Sequence, residues 1–134
     1  MTPGERLVEI LQRAAARWGF PCPDEVADLA HDPETRVWAT GRGAVSLTVR
    51  PWGVYLNAGF PPGDLRGYRE AHRIFLSLVA EYGTLTAVVH PRNLPSARIV
   101  QRLGGVPIGL DPEGFIHYDI VHGRYTHAKP SQAA

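Results

Sequence analysis

Asp64-Leu65-Arg66-Gly67-Tyr68-Arg69-Glu70-Ala71 decides how this chain is read, because it joins a strand pattern to a helix pattern across a short loop. Val54 to Phe60 has strand character, and Gly67 to Tyr82 sets Ala71, Ile74, Phe75, Leu78 and Val79 at the three-and-four spacing of one helix face. Pro61-Pro62-Gly63-Asp64 is the loop between them, and Gly83 is a natural helix stop. Thr84 to Val89 then runs β-branched and apolar without alternation, the pattern of a strand buried on both faces. Strand, helix and strand in this order predict a right-handed crossover between two parallel strands. The loop that opens the helix aims unpaired backbone N–H groups and the positive end of the helix dipole at an anion. Arg66 and Arg69 suit a phosphate there, and they read equally as solvated charges at a helix start.

Outward from this unit the pattern continues. From Thr2 to Trp18, Leu7, Ile10, Leu11, Ala14, Ala15 and Trp18 form the stripe of an amphipathic helix, which Phe20-Pro21-Cys22-Pro23 ends. A short helical turn is expected over Asp24 to Ala30. Thr35 to Thr40, Ala44 to Arg50 and Val54 to Phe60, parted by Gly41-Arg42-Gly43 and Pro51-Trp52-Gly53, read as an antiparallel meander. Val45, Leu47 and Val49 alternate with Ser46, Thr48 and Arg50, which predicts one buried face and one wet face. Downstream, His90-Pro91-Arg92-Asn93 leads into a helix from Leu94 to Leu103 that Gly104-Gly105 ends. Strands at Val106 to Leu110 and Phe115 to Val121 flank the turn Asp111-Pro112-Glu113-Gly114. Residues 1–122 are expected to form a single domain and 123–134 a flexible tail.

Composition narrows the function classes. Fourteen Lys and Arg against thirteen Asp and Glu leave a formal charge of +1, so bulk charge proposes neither a nucleic-acid nor a membrane partner. Cys22 is the only cysteine, which excludes an intramolecular disulfide and a thiolate metal cluster and fits a reducing cytoplasm. Met1 to Phe20 carries Glu5 and Glu9 among its apolar residues and reads as neither signal peptide nor membrane span. His117, His122 and His127 recur every five residues, a spacing that matches neither a strand face nor a helix face, and no metal site is expected. Trp18, Trp38, Trp52 and Tyr55 read as core and turn packing rather than as a platform for bases.

The Asp64–Ala71 stretch and the segment from His90 to Gly105, taken in this element order, resemble the GNAT N-acetyltransferase superfamily over roughly Thr35 to Val121. The implied fold class is α/β (α+β), a GNAT-like mixed, mostly antiparallel sheet with a central parallel strand pair and helices on both faces. The N-terminal helix departs from it, since the usual first strand does not precede it. The resemblance implies an acetyl group, or another acyl group, carried by CoA and passed to an unidentified amine by direct attack. Arg66, Gly67, Tyr68, Arg69 and Ala71 would hold the CoA pyrophosphate, Val54 to Phe60 would bond the pantetheine, and a backbone N–H of that strand would polarise the thioester. Asn93 would lie near the pantetheine arm, and it reads also as a helix N-cap. Three departures matter. Arg69 stands where the loop pattern has glycine, Val100 stands where many members have the tyrosine that protonates the thiolate, and Val54 to Phe60 holds no carboxylate base. His90, at the end of the buried strand, is the expected proton acceptor and Asn57 the expected substrate-orienting residue. The alternative is a short GNAT-like module of phage or prophage type that has lost the chemistry and binds a protein partner. Acceptor recognition is expected from Thr2 to Ala30 and Val106 to Val121.

Overall fold

The computed structural model describes residues 1–123; of the tail expected over 123–134, residues 124–134, His127 included, lie outside the described residues. Helix α1 (Pro3–Trp18) opens on Thr2, whose hydroxyl accepts the Glu5 amide at 3.1 Å while Glu5 accepts the Thr2 amide at 2.8 Å, so two orphan donors are satisfied reciprocally. It ends on Gly19, whose φ of 71° lies in the left-handed region that glycine enters without strain. After the single turn α2 (Glu25–Asp28) come β1 (Thr35–Thr40), β2 (Gly43–Arg50) and β3 (Gly53–Gly59), then α3 (Leu65–Tyr82), β4 (Thr84–Val89), α4 (Leu94–Arg102), β5 (Val106–Leu110) and β6 (Ile116–Val121). The six strands form one sheet in the order β1-β2-β3-β4-β6-β5. Of its neighbouring pairs β3–β4 alone is parallel, as the crossover through α3 requires. Among the described residues no helix is long and apolar enough to cross a membrane.

Two elements differ from the sequence reading. α3 begins at Leu65, two residues ahead of Gly67, because the Asp64 side chain caps it by accepting the Gly67 amide. Strand β2 has no wet face: Ala44, Ser46 and Thr48 are as buried as Val45 and Leu47. The cover is α1. A side chain at Gly59, which pairs with Ala44, would meet Leu7 and Ile10 at about van der Waals contact or closer, so this glycine lets the helix sit directly on the strand. Leu7 is fully buried there.

The opposite face holds the main core. Ala71, Phe75, Leu78 and Val79 of α3 and Ile99 and Val100 of α4 pack on Val45, Leu47, Leu56, Leu85, Ala87 and Ile120. The sheet is therefore covered on both faces. At its far edge β5 is exposed along its length, with Val106, Ile108 and Leu110 all in solvent and a register shift between Pro107 and Gly109.

β3 and β4 pair only at Tyr55–Thr86 and Leu56–Ala87. Beyond these the strands part, and the Ser96 hydroxyl of α4 donates to the Ala58 carbonyl at 3.2 Å where a ladder bond would otherwise lie. Removing the α1 anchor should be costly: Leu7→Ala is expected to lower unfolding free energy by about 2–5 kcal/mol, read from urea denaturation, through a cavity opened over Gly59.

Candidate functional site

Where β3 and β4 separate, a cavity of about 480 Å³ crosses the sheet. This is an ordinary size for a small-molecule site. Its lining comes from both faces: Phe75, Ile99 and Val100 on the α3/α4 side, Phe20, Val26 and Leu29 on the α1/α2 side. The Ala58 carbonyl points into the gap, since Ser96 bonds it from α4. In a strand the N–H and C=O of one residue lie along the same edge, so the Ala58 amide faces the gap too. An unpaired strand amide beside a cavity is the kind of donor that a developing oxyanion needs.

The α1/α2 side of the gap carries the titratable groups. Asn57 lies between the core-facing Leu56 and Ala58 and so projects to the other face. His117 pairs with Val88 on β4 and projects to that same side, opposite to the buried Tyr118. Across the β5–β6 turn the Asp111 carboxylate meets the His117 Nε2 at 3.2 Å and also accepts the amides of Glu113 at 2.9 Å and Phe115 at 3.0 Å. Burial, the largest influence on Asp111, pushes its pKa up, but the Phe115 amide, the His117 ring and the Glu113 amide together outweigh it, and Asp111 ends below the ordinary carboxylate value. Asp111 is therefore ionised at neutral pH and holds the imidazole by one nitrogen, leaving Nδ1 to act.

No protein-family model and no curated protein matches the sequence. Solved structures match the fold. FeeM, an N-acyl amino acid synthase from uncultured soil microbes, superposes with a TM-score of 0.66 at 14% identity, over 90% of this chain and 88% of that one. An acetyltransferase from Thermus thermophilus gives 0.58 at 20% identity, over 89% and 92%. The spermidine/spermine N-acetyltransferase SpeG from Vibrio cholerae, in mutant form, gives 0.55 at 11% identity, over 96% and 95%. This chain has the GNAT fold.

The structure divides the residues singled out from the GNAT resemblance into two places. Asn57, His90 and Asn93 all line the cavity at the β3–β4 gap. Asn93 stands at the N-cap position of α4, yet its side chain makes no capping bond, so its amide is not consumed by the helix. Val100, in the position of the family's tyrosine, is buried against the same cavity. His90 stacks on Phe20 with centroids 4.8 Å apart and meets the edge of Phe115 at 5.2 Å. Its Nδ1 accepts the Arg92 amide at 3.2 Å, which leaves the proton of the neutral ring on Nε2. Burial chiefly, with Arg92 adding and Asp111 opposing, pulls its pKa below the usual histidine value. Taking a further proton at Nδ1 would break the Arg92 bond, so His90 is better suited to wall the cavity than to receive the amine proton.

Arg66, Gly67, Tyr68, Arg69 and Ala71 lie elsewhere, within the first turns of α3 rather than in a loop. Ala71 is fully buried and Gly67 nearly so, both on the sheet-facing side. Tyr68 packs on Phe60 at 5.6 Å under the Arg102 guanidinium at 5.5 Å, and its hydroxyl is buried without a hydrogen-bond partner. Arg66 is 86% exposed and pairs with Glu70 at 3.4 Å, and Arg69 is exposed as well. The Asp111–His117 pair was missed from sequence. Its signal was the turn Asp111-Pro112-Glu113-Gly114, which folds position 111 back beside position 117 once Leu110 and Ile116 pair.

The depressed pKa of His90 has a sign. Because the folded protein resists protonating it, its contribution to stability is full above about pH 6.5, the ordinary histidine value, and is lost as pH falls through its folded value. The melting temperature is expected to drop from pH 7.5 to 5, and His90→Phe, which keeps the stack on Phe20, is expected to flatten that drop in thermal melts.

Proposed function

We propose that the protein is an N-acyltransferase that moves an acyl group, acetyl in the simplest case, from a pantetheine thioester of the acyl-CoA type to an amine by direct attack. The observation that carries this reading is the cavity at the β3–β4 gap, with the Ala58 amide edge on one wall and the Asp111–His117 pair on the acceptor face.

In this reading the thioester carbonyl lies at the gap with its oxygen toward the Ala58 N–H, and the pantetheine runs on the α4 side past Asn93 and Ser96. The amine enters from the α1/α2 side between Asn57 and His90. His117 Nδ1 accepts the proton as nitrogen bonds to the carbonyl carbon, and Asp111 stabilises the imidazolium that forms. As the tetrahedral intermediate collapses the C–S bond breaks, and the imidazolium returns that proton to the departing thiolate, the step for which Val100 offers no hydroxyl. Cys22 has no part in it: burial first, and Asp24 second, push its pKa up and leave little thiolate.

FeeM is named as making N-acyl amino acids and SpeG as acting on spermidine and spermine. Around this cavity stand Glu25, Asp28, Asp111 and Glu113, together with Asp32, which Arg50 neutralises. That charge favours acceptors that arrive as cations, such as polyamines, over amino acids with a free carboxylate.

The test is thiol release from acetyl-CoA and acetyl-pantetheine against a panel of polyamines and amino acids. His117→Gln and Asp111→Asn are each expected to lower kcat by about a hundredfold or more with binding of the thioester unchanged. Full kcat in both variants removes the pair from the chemistry, and thioester binding without turnover of any amine leaves the fold as a binding module.

A further inference from the structure

The first turn of α3 is where a helix of this kind offers free amides to an anion, and here those of Leu65, Gly67 and Tyr68 are already bonded within the chain. Asp64 is 8% exposed. One carboxylate oxygen accepts the Gly67 amide at 3.2 Å and the other the Arg42 amide at 3.0 Å, while Glu70 accepts the Gly41 amide at 2.9 Å. The β1–β2 turn is thereby clamped on the helix. A methyl group at Gly67 would collide with the Thr40 carbonyl and the Asp64 carboxylate, and one at Gly41 would collide with Asp64 and the Gly67 backbone. Nothing the size of a methyl group fits inside this clamp, and the cavity of about 590 Å³ that opens outside it is lined by Gly41, Arg42, Asp64, Arg66 and Glu70. A diphosphate entering that cavity meets the carboxylates of Asp64 and Glu70, while its two arginines are already engaged, Arg66 with Glu70 and Arg42 donating to the Pro62 carbonyl at 3.3 Å. Displacing Asp64 would strip a buried carboxylate of both its amide donors, which costs its desolvation without return.

We infer that this site recognises its acyl donor through the pantetheine arm and the thioester alone, and that the nucleotide diphosphate of CoA adds nothing to affinity. This rests on the acyl-transfer reading and narrows its donor to the class of pantetheine thioesters presented free of contact with α3. The gap between β3 and β4, with Asn93 and Ser96 beside it, is the recognition element; the α3 terminus is a structural joint.

The experiment is calorimetric titration of the full chain with S-acetyl-pantetheine and with acetyl-CoA, no acceptor being present. The expected result is a pair of Kd values within about threefold of each other, with that for acetyl-CoA unmoved between low and moderate salt. Acetyl-CoA binding tighter by more than about threefold overturns the inference. Asp64→Asn keeps one accepting oxygen for the Gly67 amide, removes the charge and gives up the Arg42 bond, since its Nδ2 cannot accept, so it is expected to tighten acetyl-CoA severalfold and leave acetyl-pantetheine alone. An unchanged ratio in that variant overturns the assignment of the exclusion to Asp64. Silence from both thioesters in the wild-type chain removes the acyl-transfer reading itself and this inference with it, a result distinct from a preference for CoA.

Discussion

The parting of β3 and β4 after Leu56 and Ala87 is the constraint on which the rest of the molecule depends. A parallel pair inside a covered sheet would normally continue its ladder, because an unpaired strand amide away from water is expensive. Here the interruption is stabilised from outside the sheet. Ser96 of α4 takes the Ala58 carbonyl, and apolar residues of α3 and α4 close the gap beneath. The cavity is thus a consequence of how α4 docks, and the short segment from Asn93 to Ser96 both wedges the strands apart and supplies polar groups at the opening.

The two faces divide the labour. On the α3/α4 face the packing away from the gap is almost wholly apolar, which fixes the strands. On the other face α1 reaches only the meander, where Ala44 and Gly59 are small enough to admit Leu7 and Ile10. Past the end of α1, the Phe20–His90–Phe115 cluster and the Asp111–His117 pair occupy the part of that face beyond the helix. Protonatable groups gather there because that is the part of the sheet left accessible beside the gap.

How much of this could be read from sequence depends on the range of the interaction. Periodicity and punctuation are local, and they placed every strand and helix to within about two residues, down to the Gly83 and Gly104 stops. The wet face assigned to Ser46 and Thr48 was an error of range: alternation in β2 reports side-chain polarity, and the cover comes from a helix some forty residues earlier in the chain. Asn57, His90 and Asn93 were named from the GNAT resemblance, and all three line the cavity. Asp111 and His117 escaped because their partnership exists only after a hairpin forms. The helix start at Leu65 escaped for a like reason, since Asp64 reads as a loop residue until the β1–β2 turn is brought against it.

The edge strand β5 leaves the sheet with a ladder that nothing in the described residues covers, and it displays Val106, Ile108 and Leu110 to solvent. Such an edge invites a second chain to add itself as a further strand and begin an aggregate. Pro107 lacks the donor that an incoming strand would read, and the register shift between Pro107 and Gly109 bends the row of peptide groups out of line. What looks like an irregularity in the last hairpin thus serves colloidal stability, keeping an apolar margin from templating growth.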